Sequence, residues 1–290
     1  MANLKEIRTR ISSVQKTKQV TAAMKMVSAA KLKKAQDAIV QIRPFAAKLH
    51  EILSNLTGSL TNSDDNLYGV ERKPEKVLLV AITSNKGLCG GFNANVIKQV
   101  TILGETTYAE QKQRGSLHIL AIGKQGFEIL RKHFNVVGEY NHVYDNLNFE
   151  SVSAIASFVM KEFVEGKYDR VELVYNQFKN AGVQILTTEQ FLPVVQPEED
   201  MSSQTEYIFE PNQEEILDEL IPKSLKTQFY KAMLDSFASE HGARMTAMHK
   251  ATDNASDLIQ DLNLTYNKAR QAAITNEILE IVSGADALSS

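Results

Sequence analysis

The sequence has a single cysteine, Cys89, so no disulfide closes within the chain and a cysteine-rich metal site is excluded. A reducing compartment is the simplest setting for it. Long apolar runs are missing as well. The longest, Val77 to Ile82, is far shorter than the roughly 20 residues that carry a helix across a bilayer. The opening Met1-Ala-Asn-Leu-Lys-Glu6 lacks the apolar centre of a secretory signal, so nothing points to export. Glycine and proline are scarce at both ends. No Gly precedes Gly58 and Pro44 is the only Pro in that stretch; after Pro222 there is no Pro, and Gly242 is the only Gly before Gly284. Both ends are therefore free to run as long helices.

The apolar residues of those ends repeat with a coiled-coil spacing. Leu4, Ile7, Ile11 and Val14, then Leu32, Ala35, Ile39, Ile42, Ala46, Leu49, Leu53 and Leu56, alternate steps of three and four. The blocks stay in phase across Lys18, Thr21, Lys25 and Ser28, four polar residues at seam positions. Either the partner changes there, or the seam shifts by one residue to Val20, Met24 and Val27. A helix from about residue 3 to 57 would be roughly 80 Å long. At the other end, Met248, Ala251, Ala255, Leu258, Leu262, Thr265, Ala269 and Ala272 repeat the spacing, in a helix of about 60 residues and roughly 90 Å. If the middle folds back, the two stripes bury each other antiparallel, with Leu4 near Leu279.

The middle reads as α/β. Lys76–Thr83, Leu117–Ile122 and Arg170–Tyr175 have the apolar runs of buried strands, with helical patterns over Asn95–Gln113, Gln125–Phe134 and Ser151–Gly166 between them. Such alternation predicts a mostly parallel, doubly wound sheet with right-handed crossovers. Asn180-Ala-Gly182 turns the chain into an antiparallel edge strand, Gln184–Leu192. Leu60–Arg72 and Val195–Ser203 read as surface loops. The fold class is α/β, with a central sheet domain over 76–211 between coiled-coil helices in 1–58 and 212–290.

Enzyme chemistry finds little support. The loop Ser84-Asn-Lys-Gly-Leu-Cys-Gly-Gly-Phe-Asn93 is glycine-rich, but its spacing is neither that of a dinucleotide fingerprint nor that of a P-loop, and Gly123-Lys-Gln-Gly126 is another tight turn. Both read as structural turns. Cys89 lacks a nearby base and reads as space-filling; His249 and Asp253 are one helical turn apart but two ligands do not make a metal site. Glu214, Glu215, Asp218 and Glu219 complement a helix N-terminus. No cofactor, metal or catalytic residue is expected. Charge is uneven: residues 1–50 hold eight Lys and three Arg against Glu6 and Asp37, a net of +9, so the rest carries −12 to reach the overall −3. Lys5, Arg8 and Arg10 oppose the helix dipole, which favours an acidic partner; the interleaved apolar seam argues for protein and against nucleic acid.

Two terminal stretches carry a resemblance. Lys5-Glu-Ile-Arg-x-Arg-Ile-x-Ser-Val-Gln15 with Thr21-Ala-Ala-Met-Lys-Met-Val-Ser-Ala-Ala-Lys31 resembles the start of the F-type ATP synthase gamma subunits. Ala243–Ala255 and Leu264–Gly284 are similar to their end, and Gly87-Leu-Cys-Gly-Gly91 to their first loop. The resemblance implies a non-catalytic central rotor stalk that couples proton-driven rotation of a membrane ring of c subunits to ATP synthesis or hydrolysis by alpha and beta subunits. It further implies an epsilon-subunit partner and a peripheral position on the cytoplasmic face of a bacterial inner membrane, with no span of its own. It implies beta-ring contacts at Met24, Lys25, Arg270, Gln271 and Thr275. His241-Gly242 departs from the family pattern and puts local stiffness in question. Two other readings stand beside it: a small-molecule enzyme on the α/β domain oligomerised by its arms, and a basic coiled-coil adaptor.

Overall fold

A computed structural model describes residues 4–57, 67–194 and 213–289. In chain order these form α1 (Leu4–Thr57), β1 (Val77–Ile82), α2 (Phe92–Glu105), α3 (Ala109–Gln113), β2 (Leu117–Ile122), α4 (Lys124–Leu130) and β3 (Asn135–Glu139). A 3-10 turn follows at His142–Tyr144, then α5 (Phe149–Val164), β4 (Arg170–Asn180), β5 (Val183–Leu192) and α6 (Gln213–Ser289). The chain divides into two compact units, residues 29–244 and residues 1–28 with 245–290.

The larger unit holds a five-stranded sheet in the order β3-β2-β1-β4-β5. Strand β1 pairs parallel with β2 and with β4, β2 pairs parallel with β3, and β5 closes the other edge antiparallel to β4. Every residue of β1 is buried, as its unbroken apolar run requires of a strand covered on both faces. One face packs Leu78, Val80 and Ile82 against Val152, Val159 and Phe163 of α5 and Leu225, Phe229 and Met233 of α6. The opposite face packs Val77, Leu79 and Ala81 against Val96 and Val100 of α2, Tyr108 and Leu130. That is the doubly wound arrangement expected, and the strand sequence changes direction between β1 and β4.

Details differ from the sequence reading. β3 was not anticipated, because Asn135-Val-Val-Gly-Glu139 is short and its exposure alternates at an edge. The helix expected over Asn95–Gln113 is two, interrupted at residues 106–108. Gly104, in the last turn of α2 before the break, lies against Phe134 and Leu117, with no room for a Cβ unless they shift. The β4–β5 turn forms as expected: Asn180 Oδ1 accepts from the N–H groups of Gly182 and Val183 at 3.0 and 2.8 Å. The expected loop Val195–Ser203 lies outside the described residues, as do the first residues of Leu60–Arg72 and the side chains of Glu214, Glu215 and Asp218.

In the smaller unit the start of α1 and the end of α6 run antiparallel. Arg8 Nη2 donates to the Tyr266 hydroxyl at 2.7 Å, with the guanidinium also over that ring, and the Thr21 and Thr252 hydroxyls bond at 2.8 Å. The α1 seam keeps its phase: Ile7, Thr21 and Ser28 are buried while Val20, Met26 and Val27 are exposed. The one-residue shift does not occur. Two expectations are corrected. On α6 the buried stripe runs through Met248, Thr252, Ala255, Ile259, Leu262, Tyr266 and Ala269, whereas Leu258, Thr265 and Ala272 face solvent. Ile259 and Tyr266 give the seam larger side chains than the alternative phase. The register also differs. The two cross-helix bonds join residues whose numbers sum to 274 and 273, so Leu4 lies level with residue 269 or 270, not Leu279. The last turns of α6 therefore run past the start of α1.

Candidate functional site

Met24 and Lys25 sit half-buried on α1, Lys25 at a seam position and Met24 next to it. Here the seam is polar yet satisfied within the unit. Of the two paired threonines, one donates across the seam and the other back to its own helix, at the carbonyl of Lys18 or Met248. Ser28 Oγ donates to the Met24 carbonyl at 2.8 Å. A hydroxyl that bonds its own helix costs little to bury, which explains why Thr21 and Ser28, two of the four polar seam positions, tolerate burial in the coiled-coil geometry.

Arg270, Gln271 and Thr275 are all exposed, just beyond Ala269, the last half-buried seam residue of α6. The register places Met24 level with residue 249 or 250. Some twenty residues of helix, roughly 30 Å, thus separate the two groups. The structure forms two patches, not one site. Around the second, Ile274, Ile278, Leu279, Ile281 and Val282 are 46–65% exposed, a band of aliphatic surface that none of the described residues covers.

In the larger unit, the loop after β1 is held by side chains. Ser84 N–H donates to Asn93 Oδ1 at 2.9 Å, and Ser84 Oγ donates to the Lys86 carbonyl at 2.7 Å. Asn93 Nδ2 donates to Cys89 Sγ at 3.3 Å. Cys89 is 2% exposed and burial pushes its thiol pKa up, the setting of a packing residue and not of a nucleophile. The second glycine turn is filled by protein. Lys124 N–H donates to Asn85 Oδ1, Gln125 N–H to the Ser84 carbonyl and Gly126 N–H to Thr83 Oγ1. Those first amides of α4 are the groups that would meet a phosphate. At Gly123, with φ +99°, an added Cβ would lie 2.2 Å from the Thr83 carbonyl oxygen. The glycine permits close packing of one turn on another.

Sequence reasoning missed a buried cluster on α6. Glu240, His241 and Arg244 are each at most 7% exposed. Arg244 Nη1 donates to Glu240 Oε1 at 2.6 Å and lies 3.3 Å from His241 Nδ1. Burial raises the Glu240 pKa against the lowering pull of Arg244. Burial, then the charge of Arg244 and that of Lys31, push His241 down to about 3, so it is neutral. The only visible signal was a Glu–Arg pair four residues apart, which on most helices is solvated. Gly242 belongs to the same turn: an added Cβ would meet Ala181 Cα at 3.2 Å and its carbonyl oxygen at 3.3 Å. Glycine at the departing His241-Gly242 pair is thus a close-approach residue.

His249 and Asp253 form an exposed pair at 3.2 Å. Among the described residues no three His, Cys, Asp or Glu side chains gather as a metal site, and no helix is long and apolar enough to cross a membrane.

A family model described as ATP synthase matches residues 3–288. The chain is 59% identical over 289 residues to the ATP synthase gamma chain of Flavobacterium johnsoniae and 46% identical over 290 residues to that of Chlorobaculum tepidum, covering 99% of each chain in both cases. Among solved structures, it resembles a chain of the Tetrahymena thermophila mitochondrial ATP synthase central stalk and c-ring. The TM-score is 0.60 at 29% identity, over 80% of this chain and 99% of that one. A chain of the Euglena gracilis mitochondrial ATP synthase shares the fold, with a TM-score of 0.68 at 20% identity over 98% of this chain and 94% of that one. With the paired terminal helices, the doubly wound sheet and full-length similarity to its relatives, the chain belongs to the ATP synthase gamma-chain family.

Proposed function

We propose that the chain is the central rotor stalk of a bacterial F-type ATP synthase, carrying rotation of a proton-driven c-subunit ring to a catalytic ring of alpha and beta subunits. The observation that carries this reading is the antiparallel pairing of the two chain ends, within a chain whose relatives match it over nearly its whole length. Two wound helices resist bending and twist better than one. The stalk itself does no ATP chemistry: it contacts three chemically equivalent beta subunits differently and so biases each toward a different state, by no more than its differential contact energy.

Two surfaces are assigned to the beta subunits in this reading. Met24 and Lys25 meet one beta element from the polar part of the seam, and Arg270, Gln271 and Thr275 meet the ring from the far end of α6. The exposure of Arg270, Gln271 and Thr275 and the exposed aliphatic band beside them support the second assignment. The parts act as two helices, residues 1–58 and 212–290, on a foot formed by 76–211. The foot faces the epsilon subunit and the c ring, and the chain sits peripherally at the cytoplasmic face of the cell membrane.

Mixing experiments test this. The purified chain alone hydrolyses no ATP, and addition to alpha and beta subunits yields a stable complex in which a probe on Lys132→Cys rotates during hydrolysis. Hydrolysis by the chain alone, or a stationary probe in an active complex, contradicts the reading. Cys89 itself is too buried to take the probe.

A further inference from the structure

The loop that leaves β1 is held by a residue about 157 positions away in sequence. Arg244 Nη2 donates to the Lys86 carbonyl at 2.8 Å and to the Gly87 carbonyl at 3.3 Å, and its Nε donates to the Gly87 carbonyl at 3.4 Å. Nη1 is engaged by Glu240. A guanidinium buried to this degree binds two successive backbone carbonyls and a carboxylate at once, which the planar fork of arginine allows and the single ammonium of lysine does not.

The loop gives independent evidence of being held. Leu88, next after the clamped carbonyls, has φ +61° while its side chain is 66% exposed. A leucine adopts the left-handed region only against a steric cost, and burial returns nothing for it here. Such conformations persist where surrounding contacts impose them. On the neighbouring turn, Gly242 lets α6 approach the backbone of Ala181 in the β4–β5 turn. This part of α6 is thus joined to both the loop after β1 and the far end of the β4–β5 hairpin.

We propose that Arg244 is a positioning residue for coupling: its fork latches the 84–91 loop to α6, so that this part of the helix and the sheet turn as one body under load. The latch follows from the contacts above; its effect on coupling rests on the rotor reading. Loss of the fork frees two carbonyls, lets Leu88 relax and opens the loop over Cys89.

Cys89 is the reporter. In the whole complex reconstituted in lipid vesicles, three quantities are measured for wild type, Arg244→Gln and Arg244→Lys: N-ethylmaleimide uptake at Cys89 by mass spectrometry, ATP hydrolysis, and ATP-driven proton pumping. Arg244→Gln is expected to raise the labelling rate at least about tenfold, as local opening would, with hydrolysis retained and fewer protons moved per ATP. Arg244→Lys is expected to lie between the two. The sign is informative, because the charge of Arg244 lowers the Cys89 thiol pKa. Removing that charge without opening the loop would slow labelling. Labelling of Arg244→Gln at or below the wild-type rate overturns the latch, as does faster labelling with pumping unchanged. Should Arg244→Gln fail to assemble, Arg244→Lys decides by the same readouts. A wild-type complex that neither rotates nor pumps counts against the rotor reading; a working wild type matched by Arg244→Gln counts against the latch alone.

Discussion

Two stretches of α6 share one helix and differ in almost everything else. Between Ala232 and Arg244 all residues but Phe237 and Ala243 are buried, including Asp235, Ser236, Ser239, Glu240 and His241. From Arg270 to Ala285 every residue is exposed, including Ile274, Ile278 and Leu279. The first stretch buries polar side chains beside its apolar ones, and the second exposes aliphatic side chains beside its polar ones, a partial reversal of polar outside and apolar inside. In a single soluble chain that reversal has a cost at both places: buried charge must be paired, and exposed aliphatic surface invites association. In the first stretch Arg244 pairs with the Glu240 carboxylate and lies against His241 Nδ1. The second is left uncovered by the described residues, which fits the partner surface proposed for it above.

Substitutions sharpen the contrast, beginning with the largest effect. Phe229, fully buried between α6 and the sheet, should lose about 3–5 kcal/mol on Phe229→Ala, read as a shift in the urea midpoint. An effect below about 1 kcal/mol would mean that α6 is not part of that core.

The pH dependence comes next. The folded-state pKa of His241 is depressed to about 3, so its contribution to stability is fully present above the unfolded value and is lost as pH falls below about 6.5. Between pH 7 and pH 5 the loss should be about 2 kcal/mol, from about 1.4 kcal/mol per unit. Glu240 acts in the opposite sense: its raised pKa adds stability only as pH falls through its folded value, above the ordinary carboxylate range. The difference in urea midpoint between wild type and His241→Gln across pH 5–7 isolates the histidine, and parallel curves would contradict its neutral burial.

Gly242→Ala gains helix propensity yet forces a Cβ onto the Ala181 backbone, so a net loss of about 1 kcal/mol is expected. A gain in thermal midpoint would show that the contact yields. Ile278→Ser should change the stability of the isolated chain least, within about 0.5 kcal/mol. It should nevertheless weaken assembly with alpha and beta subunits, measured by co-sedimentation; undiminished assembly would leave the exposed band unexplained.

Much of this was legible in the sequence for a definite reason. β1 is buried on both faces and so carries an unbroken apolar run. β2 and the first half of β4 are mostly apolar, with His118 and Glu172 as the interruptions, and the α1 seam is periodic enough to stay in phase through four polar residues. β3 was hidden because an edge strand of five residues with a central Gly leaves almost no pattern. On α6, Leu258 and Ile259 are equally apolar neighbours, so periodicity alone does not select Ile259; the aromatic contact of Tyr266 with Arg8 belongs to the phase that does. The offset between the helices was hidden more deeply. Heptad patterns tolerate sliding by whole heptads, and the long overhang of α6 is compatible with any of them. Arg244 was read only as part of a terminal motif, because a Glu–Arg pair one turn apart looks the same whether solvated or buried.

The winding of the two ends around each other is tested most directly by distances within the assembled complex, from spin labels at Ile11 paired with Leu262 and with Leu279. The register observed here places Ile11 level with Leu262, at about the 8–10 Å of packed helices before label length is added. Leu279, 17 residues further along α6, should be roughly 25 Å away along the axis. A short Ile11–Leu262 distance with a long Ile11–Leu279 distance supports the account. Labels at Ile11 and Leu262 that prove far apart would contradict the pairing, and with it the shaft.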